Sequence, residues 1–294
     1  MRGIWEAVQS RRQRIRSAVV VVMVTAALFL YNWTEEAVLD THTMPQTERQ
    51  NIYIWTRQRR LPEPQLRVVA EQTGVSEAVA AKLLKQGRWQ QLLELQGAYF
   101  APIQTESVKS SLVTISEYLV DGQGRYVEGT QLVDIQSGDI LITKNSRFLG
   151  WRNGHAGLVV DAEAGLVLEA IMLGTDTKLC SLEKWEGYPA FQVLRLKEGG
   201  ELSAQAAAAY AAEHLRDIPY QLLAGVRGRI FPPEAGIVHA AEGVPALKGT
   251  QCAHLVWYAY KQVGIDLDSD GGLLVTPADI QNSPYLEVVQ KFGY

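Results

Sequence analysis

The sequence predicts a chain of mixed α+β class, and three observations lead there. Apolar residues recur at helical spacing from Pro64 to Gln96. From Val113 to Leu196 the pattern changes to short apolar runs bounded by Gly and Asp turns, which read as strands and hairpins. Helical stretches then return at residues 203–216 and 252–263. At 294 residues, 47% hydrophobic and 20% charged, the composition is globular, with room for one domain of ordinary size and additions to it.

The N-terminus stands apart. Residues 1–16 hold five arginines (Arg2, Arg11, Arg12, Arg14, Arg16) and one acid, Glu6, which leaves 23 basic against 31 acidic residues in the remainder. An acidic body argues against nucleic acid as a partner. Residues 17–33 carry no charge and close on Tyr31 and Trp33. A helix of that length rises about 25 Å, the short end of what spans a bilayer, and the closing aromatics suit its interface. No small-x-small cleavage site succeeds it, which favours an uncleaved transmembrane anchor over a signal peptide; the arginine cluster favours it over a buried core helix. The expected order is a basic cytoplasmic tail (1–16), a single-pass anchor in the cell membrane (17–33), a polar stalk (34–62) and an extracytoplasmic body.

In the body, Val68, Val69, Val75, Val79, Leu83 and Leu84 keep helical spacing, Gly74 breaks the run and Ser76 caps the second helix before Glu77. The stretch from Val69 to Leu84 has the look of a helix-turn-helix. Its second helix offers only Lys82 and Lys85 to a phosphate backbone, and the topology places it outside the cytoplasm, so a structural or ligand-contacting helical pair is preferred over a DNA reader. Leu112-Val113-Thr114-Ile115, the turn Asp121-Gly122-Gln123-Gly124 and Arg125-Tyr126-Val127 suggest a hairpin, which closes a region, 63–130, without assigned role. Gly138-Asp139 then introduces a strand at Ile140 to Thr143. Further strands are expected at 156–160, 166–170 and 191–196, in a unit spanning 131–294.

That unit holds the residues suited to thiol chemistry. Cys252 opens an apolar helix, with Thr250 as the expected N-cap, and the dipole of the first turn favours the nucleophilic thiolate. Leu255, Val256 and Ala259 place Cys252 on the buried face. Small buried cysteines are common, so Cys252 alone decides nothing. His155 stands in Gly154-His155-Ala156-Gly157. Folding strands 156–160 and 166–170 about Glu163 sets His155 opposite Ile171 and puts Glu169 on the same face, diagonal to it. A carboxylate there accepts the imidazole N–H, fixes its tautomer and stabilises the imidazolium. Cys252, His155 and Glu169 are therefore candidate nucleophile, base and orienter. Cys180 reads as structural; a Cys180–Cys252 pair stays open, although a cross-linked thiol cannot attack. No cofactor is expected and no zinc spacing occurs. Asp266-Leu267-Asp268-Ser269-Asp270-Gly271 fits the first half of a calcium loop, but Pro277 stands where a bidentate Glu belongs, so a polar turn is preferred and no metal is assigned.

Taken together, Gly138-Asp139-Ile140-Leu141, Gly154-His155-Ala156-Gly157-Leu158-Val159, Leu168-Glu169-Ala170, Cys252 with its Leu-Val-Trp-Tyr-Ala-Tyr helix, Gly264-Ile265-Asp266-Leu267 and Thr276-Pro277-Ala278-Asp279-Ile280 resemble the YiiX/YebB-like branch of the NlpC-type cysteine peptidases. The resemblance covers residues 131–285. It implies a circularly permuted papain-like α+β fold, with a catalytic helix on a small antiparallel sheet, and hydrolysis or acyl transfer at an amide or ester. Cys252, His155 and Glu169 fall on the catalytic positions. His254 replaces the acidic residue that relatives often carry there; about 200° round the helix from Cys252, it is expected to tune the surroundings. The Cys252 N–H and a second donor, with Tyr220 a candidate, would form the oxyanion hole. The expected function is a membrane-anchored, extracytoplasmic cysteine hydrolase cleaving an amide in cell-wall peptide. A lipid-acting thiol acyltransferase or esterase is the alternative, and a non-catalytic binding module a third. The expected partners are a peptide or acyl substrate, peptidoglycan among them, and the membrane.

Overall fold

The structure, a computed structural model, describes residues 17–27, 30, 41–111, 113–148, 150–226 and 247–294. Residues 17–27 are helical and exposed. Among the described residues no helix is long and apolar enough to cross a membrane. The basic tail and the rest of the expected anchor, Leu30 apart, lie outside the described residues.

The described part of the expected stalk, residues 41–62, packs on the body. It contains a one-turn helix, α1 (Tyr53–Thr56), and buries Thr41, Ile52 and Thr56. Its polar composition serves amide hydrogen bonds: Gln50 N–H donates to Gln72 Oε1 and Gln50 C=O accepts from Gln96 Nε2, both 2.7 Å. Three helices come next, α2 (Glu63–Thr73), α3 (Glu77–Lys85) and α4 (Trp89–Tyr99). The break between α2 and α3 falls at Gly74, a left-handed C-cap with φ 73°, and the Ser76 side chain accepts the Val79 N–H as the N-cap of α3.

The hairpin expected around Asp121 forms with a different partner. β2 (Thr114–Val120) pairs antiparallel with β1 (Gln104–Lys109), which precedes it, and with β4 (Ser146–Phe148). The chain after the Asp121 turn contributes a single bridge, Tyr126 to Val120. β1 reads Gln-Thr-Glu-Ser-Val-Lys and is exposed along most of its length, so no apolar alternation announces it.

The main sheet has six antiparallel strands in the order β7-β6-β5-β3-β8-β9. They are β3 (Ile140–Thr143), β5 (His155–Asp161), β6 (Leu166–Glu169), β7 (Lys178–Ser181), β8 (Phe191–Leu196) and β9 (Leu286–Phe292). Both faces are covered. Ile140, Ile142, Leu158, Leu168 and Leu194 pack against α5 (Glu201–His214) and α6 (Cys252–Gln262). The alternate residues Leu141, Val159, Val167, Phe191 and Val193 share a core with α2, α3 and α4. Two buried faces explain why these strands read as continuous apolar runs rather than alternating ones. They also give region 63–130 a structural part: it closes the second face of the sheet.

Candidate active site

Cys252 is the first residue of α6 and is buried. The N-cap is Gln251 rather than Thr250. With extended backbone, Gln251 folds its side chain back so that Oε1 accepts the Ala253 N–H at 2.9 Å. Its Nε2 donates to Val275 C=O at 2.5 Å, and Cys252 Sγ lies 3.5 Å from Oε1. Thr250 is engaged elsewhere: its hydroxyl meets His254 Nδ1 at 3.0 Å. His254 is buried against Trp257 and Tyr258. Cys252 thus stands buried at the N-terminus of α6.

His155 is the first residue of β5, placed by the glycine before it. Gly154 has φ 68°, and a Cβ there would lie 2.5 Å from Thr143 C=O on the paired strand, so only glycine turns the chain into β5 here. The β5–β6 register aligns Leu158 with Leu168 and Val159 with Val167, the alignment that comes from folding about Glu163. Glu169 accordingly reaches His155, with Nε2 to Oε2 at 2.7 Å. Gly157 makes room beside Glu169: a Cβ there would lie 2.7 Å from Val167 Cγ1, 2.9 Å from the Trp185 ring and 3.3 Å from Glu169 Cγ.

Two further residues, which sequence reasoning missed, complete this cluster. Ser181 caps a 3₁₀ helix, Leu182–Gly187, that succeeds β7 and carries Lys184 and Trp185 under the sheet. Lys184 Nζ lies 2.7 Å from Glu169 Oε2, and Trp185 Nε1 donates to Oε1 at 3.1 Å. The Trp185 ring also stacks on His155, 17° from parallel with centroids 5.7 Å apart. A tryptophan amid the polar run Leu-Glu-Lys-Trp-Glu-Gly was the available signal.

The electrostatics come from these contacts. His155 Nε2 is committed to Glu169, which leaves Nδ1 as the ring nitrogen open to Cys252, and the two residues line one small cavity. Burial alone would push the imidazole pKa down; the contacts with Cys252 and Glu169 outweigh it and raise it to about 9. Burial would likewise push Glu169 up, but His155 first and Lys184 second hold it at about 2. A carboxylate facing an imidazolium can stabilise that imidazolium.

A cleft of about 360 Å³ opens beside Cys252, lined chiefly by Trp151, Tyr220, Leu222, Val275 and Pro277. Tyr220 is brought to Cys252 as the sequence suggested. Its backbone N–H is taken by Thr175 C=O at 3.0 Å, so the phenol is the group it can offer. Burial, then the Cys252 charge, pushes that phenol above its ordinary pKa, which keeps it a donor. Cys180 and Cys252 are both free thiols. Cys180 pairs with Val167 across β6–β7, and burial, then Glu169, pushes its thiol up. In the Asp266 loop, Asp266 takes Trp257 Nε1 at 2.7 Å and Lys261 Nζ at 2.5 Å, while Asp268 and Asp270 cap the N–H groups of Gly271 and Gly272. Thr276 caps the short helix α7 (Pro277–Gln281), and the Asp279 carboxylate accepts the Thr276 N–H to close a capping box. Oxygens of Asp268, Asp270 and Asp279 come within 4.8 Å of one another, an arrangement those turn and cap bonds account for.

Comparison with family models gives no match, and comparison with curated proteins gives none. Among solved structures, the chain is similar to the metalloprotein YiiX of Escherichia coli O157:H7, at 18% identity, covering 53% of this chain and 97% of that chain with a TM-score of 0.39. The fold is mixed α+β with antiparallel sheets, and that distant likeness adds nothing about its chemistry.

Proposed function

We propose that the protein is a thiol hydrolase acting on an amide or ester acyl group. The observation that supports this best is the His155–Glu169 pair set beside Cys252: the imidazole and the thiol line one cavity, and an open cleft adjoins the thiol. In this reading the Cys252 thiolate attacks the carbonyl carbon and the carbonyl electron pair moves to oxygen. The Cys252 N–H at the start of α6 and the Tyr220 phenol stabilise that oxyanion. As the carbon–heteroatom bond breaks, the His155 imidazolium gives its proton to the leaving amine or alcohol, leaving a thioester on Cys252. Neutral His155 then takes a proton from water as the water attacks; the thioester breaks, and the thiolate–imidazolium pair is restored.

The leading substrate is an amide in cell-wall peptide, and the support for it is the uncharged segment 17–33 behind five arginines, which would tether the body outside the cytoplasm. One observation favours a lipid ester instead: the cleft walls are mainly apolar, with Trp151, Leu222, Val275 and Pro277 among them.

The test is capture of the acyl-enzyme. Incubation of the full chain with a p-nitrophenyl acyl ester should add one acyl mass to the peptide containing Cys252, and Cys252→Ala should abolish both the adduct and turnover. Turnover that survives Cys252→Ala would refute a thiol mechanism. Release of amine from peptidoglycan fragments, against release of fatty acid from phospholipid in detergent, separates the two substrates.

A further inference from the structure

Both oxygens of the Glu169 carboxylate are spoken for, and one of them is shared. Oε1 accepts from Trp185 Nε1, while Oε2 meets both His155 Nε2 and Lys184 Nζ at 2.7 Å. Glu169 has no exposed surface, and the Lys184 side chain is 30% exposed, so the ammonium reaches inward from a partly wet position. A histidine–carboxylate pair needs one hydrogen bond to fix the imidazole. A second cation on the same oxygen does something else: it draws off part of the negative charge that His155 faces.

We propose that Lys184 is a positioning residue that sets the basicity of His155 through Glu169. It pins Oε2 toward the ring and at the same time limits how strongly the carboxylate holds the imidazolium. The inference rests on the hydrolase reading for its purpose. An imidazolium held too tightly is a weak acid toward a leaving amine, and one held too loosely does not favour the thiolate. The other titratable groups around the pair are Cys252 on α6, Cys180 and Lys178 on β7, and Tyr188 after the 3₁₀ helix. Burial first, and then the Glu169 charge among others, pushes the Cys180 thiol and the Tyr188 phenol up, so both stay neutral near pH 7. Lys178 pairs with Glu169 across β6–β7 and is exposed. That leaves Lys184 as the described cation in direct contact with Glu169.

The experiment tracks the His155 imidazole by NMR titration in full-length protein carrying Cys252→Ala, so that no thiol complicates the curve; the signal is assigned by its loss in His155→Gln. Lys184→Met should raise the His155 midpoint by about one pH unit, the sign expected when a cation close to the imidazolium is removed. Lys184→Gln keeps a hydrogen-bond donor without the charge and should give the same rise, which serves if the methionine variant does not fold. Lys184→Arg should restore the original midpoint. An unchanged midpoint in the neutral variants, or an arginine variant that behaves like them, would overturn the proposal. The titration does not depend on turnover, so its result stands whether or not Cys252 proves to be a nucleophile.

Discussion

Glu169 is the residue on which the site's energetics turn. A carboxylate without solvent contact survives as an anion only because His155, Lys184 and Trp185 supply what water would. Its replacement by alanine leaves the neighbouring cations without their counter-charge and should destabilise the fold by about 3–5 kcal/mol, read from denaturant unfolding. The pH dependence has a definite sign. The raised His155 pKa contributes stability that is full below about pH 6.5 and is lost as pH rises through about 9. The depressed Glu169 pKa contributes stability that is present above about pH 4.3 and is lost as pH falls through about 2. Melting temperature should therefore peak between roughly pH 5 and 6.5, and His155→Ala should flatten the alkaline decline; an unaltered decline in that variant would assign it to other groups. The His155–Glu169 contact was legible in the sequence because strand alternation and a short turn place the two residues together. Lys184 and Trp185 were not, because only the 3₁₀ turn after β7 carries them to Glu169.

At the scale of elements, the start of α6 is where sequence and structure part. Thr250 has the more usual capping side chain, but its hydroxyl meets His254, and the longer Gln251 side chain caps instead while tying α6 to Val275. Gln251→Ala should cost about 1 kcal/mol of stability as a lost cap and should slow Cys252 chemistry as well, since Oε1 sits 3.5 Å from Sγ. A variant that loses stability while its thiol reacts at the wild-type rate would limit Gln251 to capping. Strands β3, β5, β6 and β8 were readable because each is an apolar run ended by a turn. β1 and β9 were not: β1 is an exposed polar strand, and β9 mixes Glu287, Gln290 and Lys291 with its apolar residues.

At the scale of the molecule, the boundary the sequence suggested near residue 131 does not divide the core. Leu141, Val159, Val167, Phe191 and Trp185 share one cluster with Val69, Val79, Leu83 and Leu92 from α2, α3 and α4. A fragment beginning at residue 131 would present that sheet face to water, and it should fail to unfold cooperatively, whereas a fragment beginning at residue 41 should keep the melting behaviour of the body. A shorter fragment that folded as well as the longer one would remove the helices from the core. The register shared by β5 and β6 and the helix start at Cys252 are what bring the thiol, the imidazole and the carboxylate to one end of that inner strand pair.

Activation of Cys252 by His155 underlies the whole proposed chemistry, and it is read out by the alkylation rate of Cys252 with iodoacetamide across pH, in full-length protein with Cys180→Ala. Rapid alkylation is expected at pH 6, where His155 is an imidazolium, with a drop of about tenfold or more on His155→Ala, as an imidazolium neighbour favours the thiolate. A thiol that is slow at pH 6 and indifferent to His155→Ala would contradict that activation and leave a buried cysteine in a binding fold.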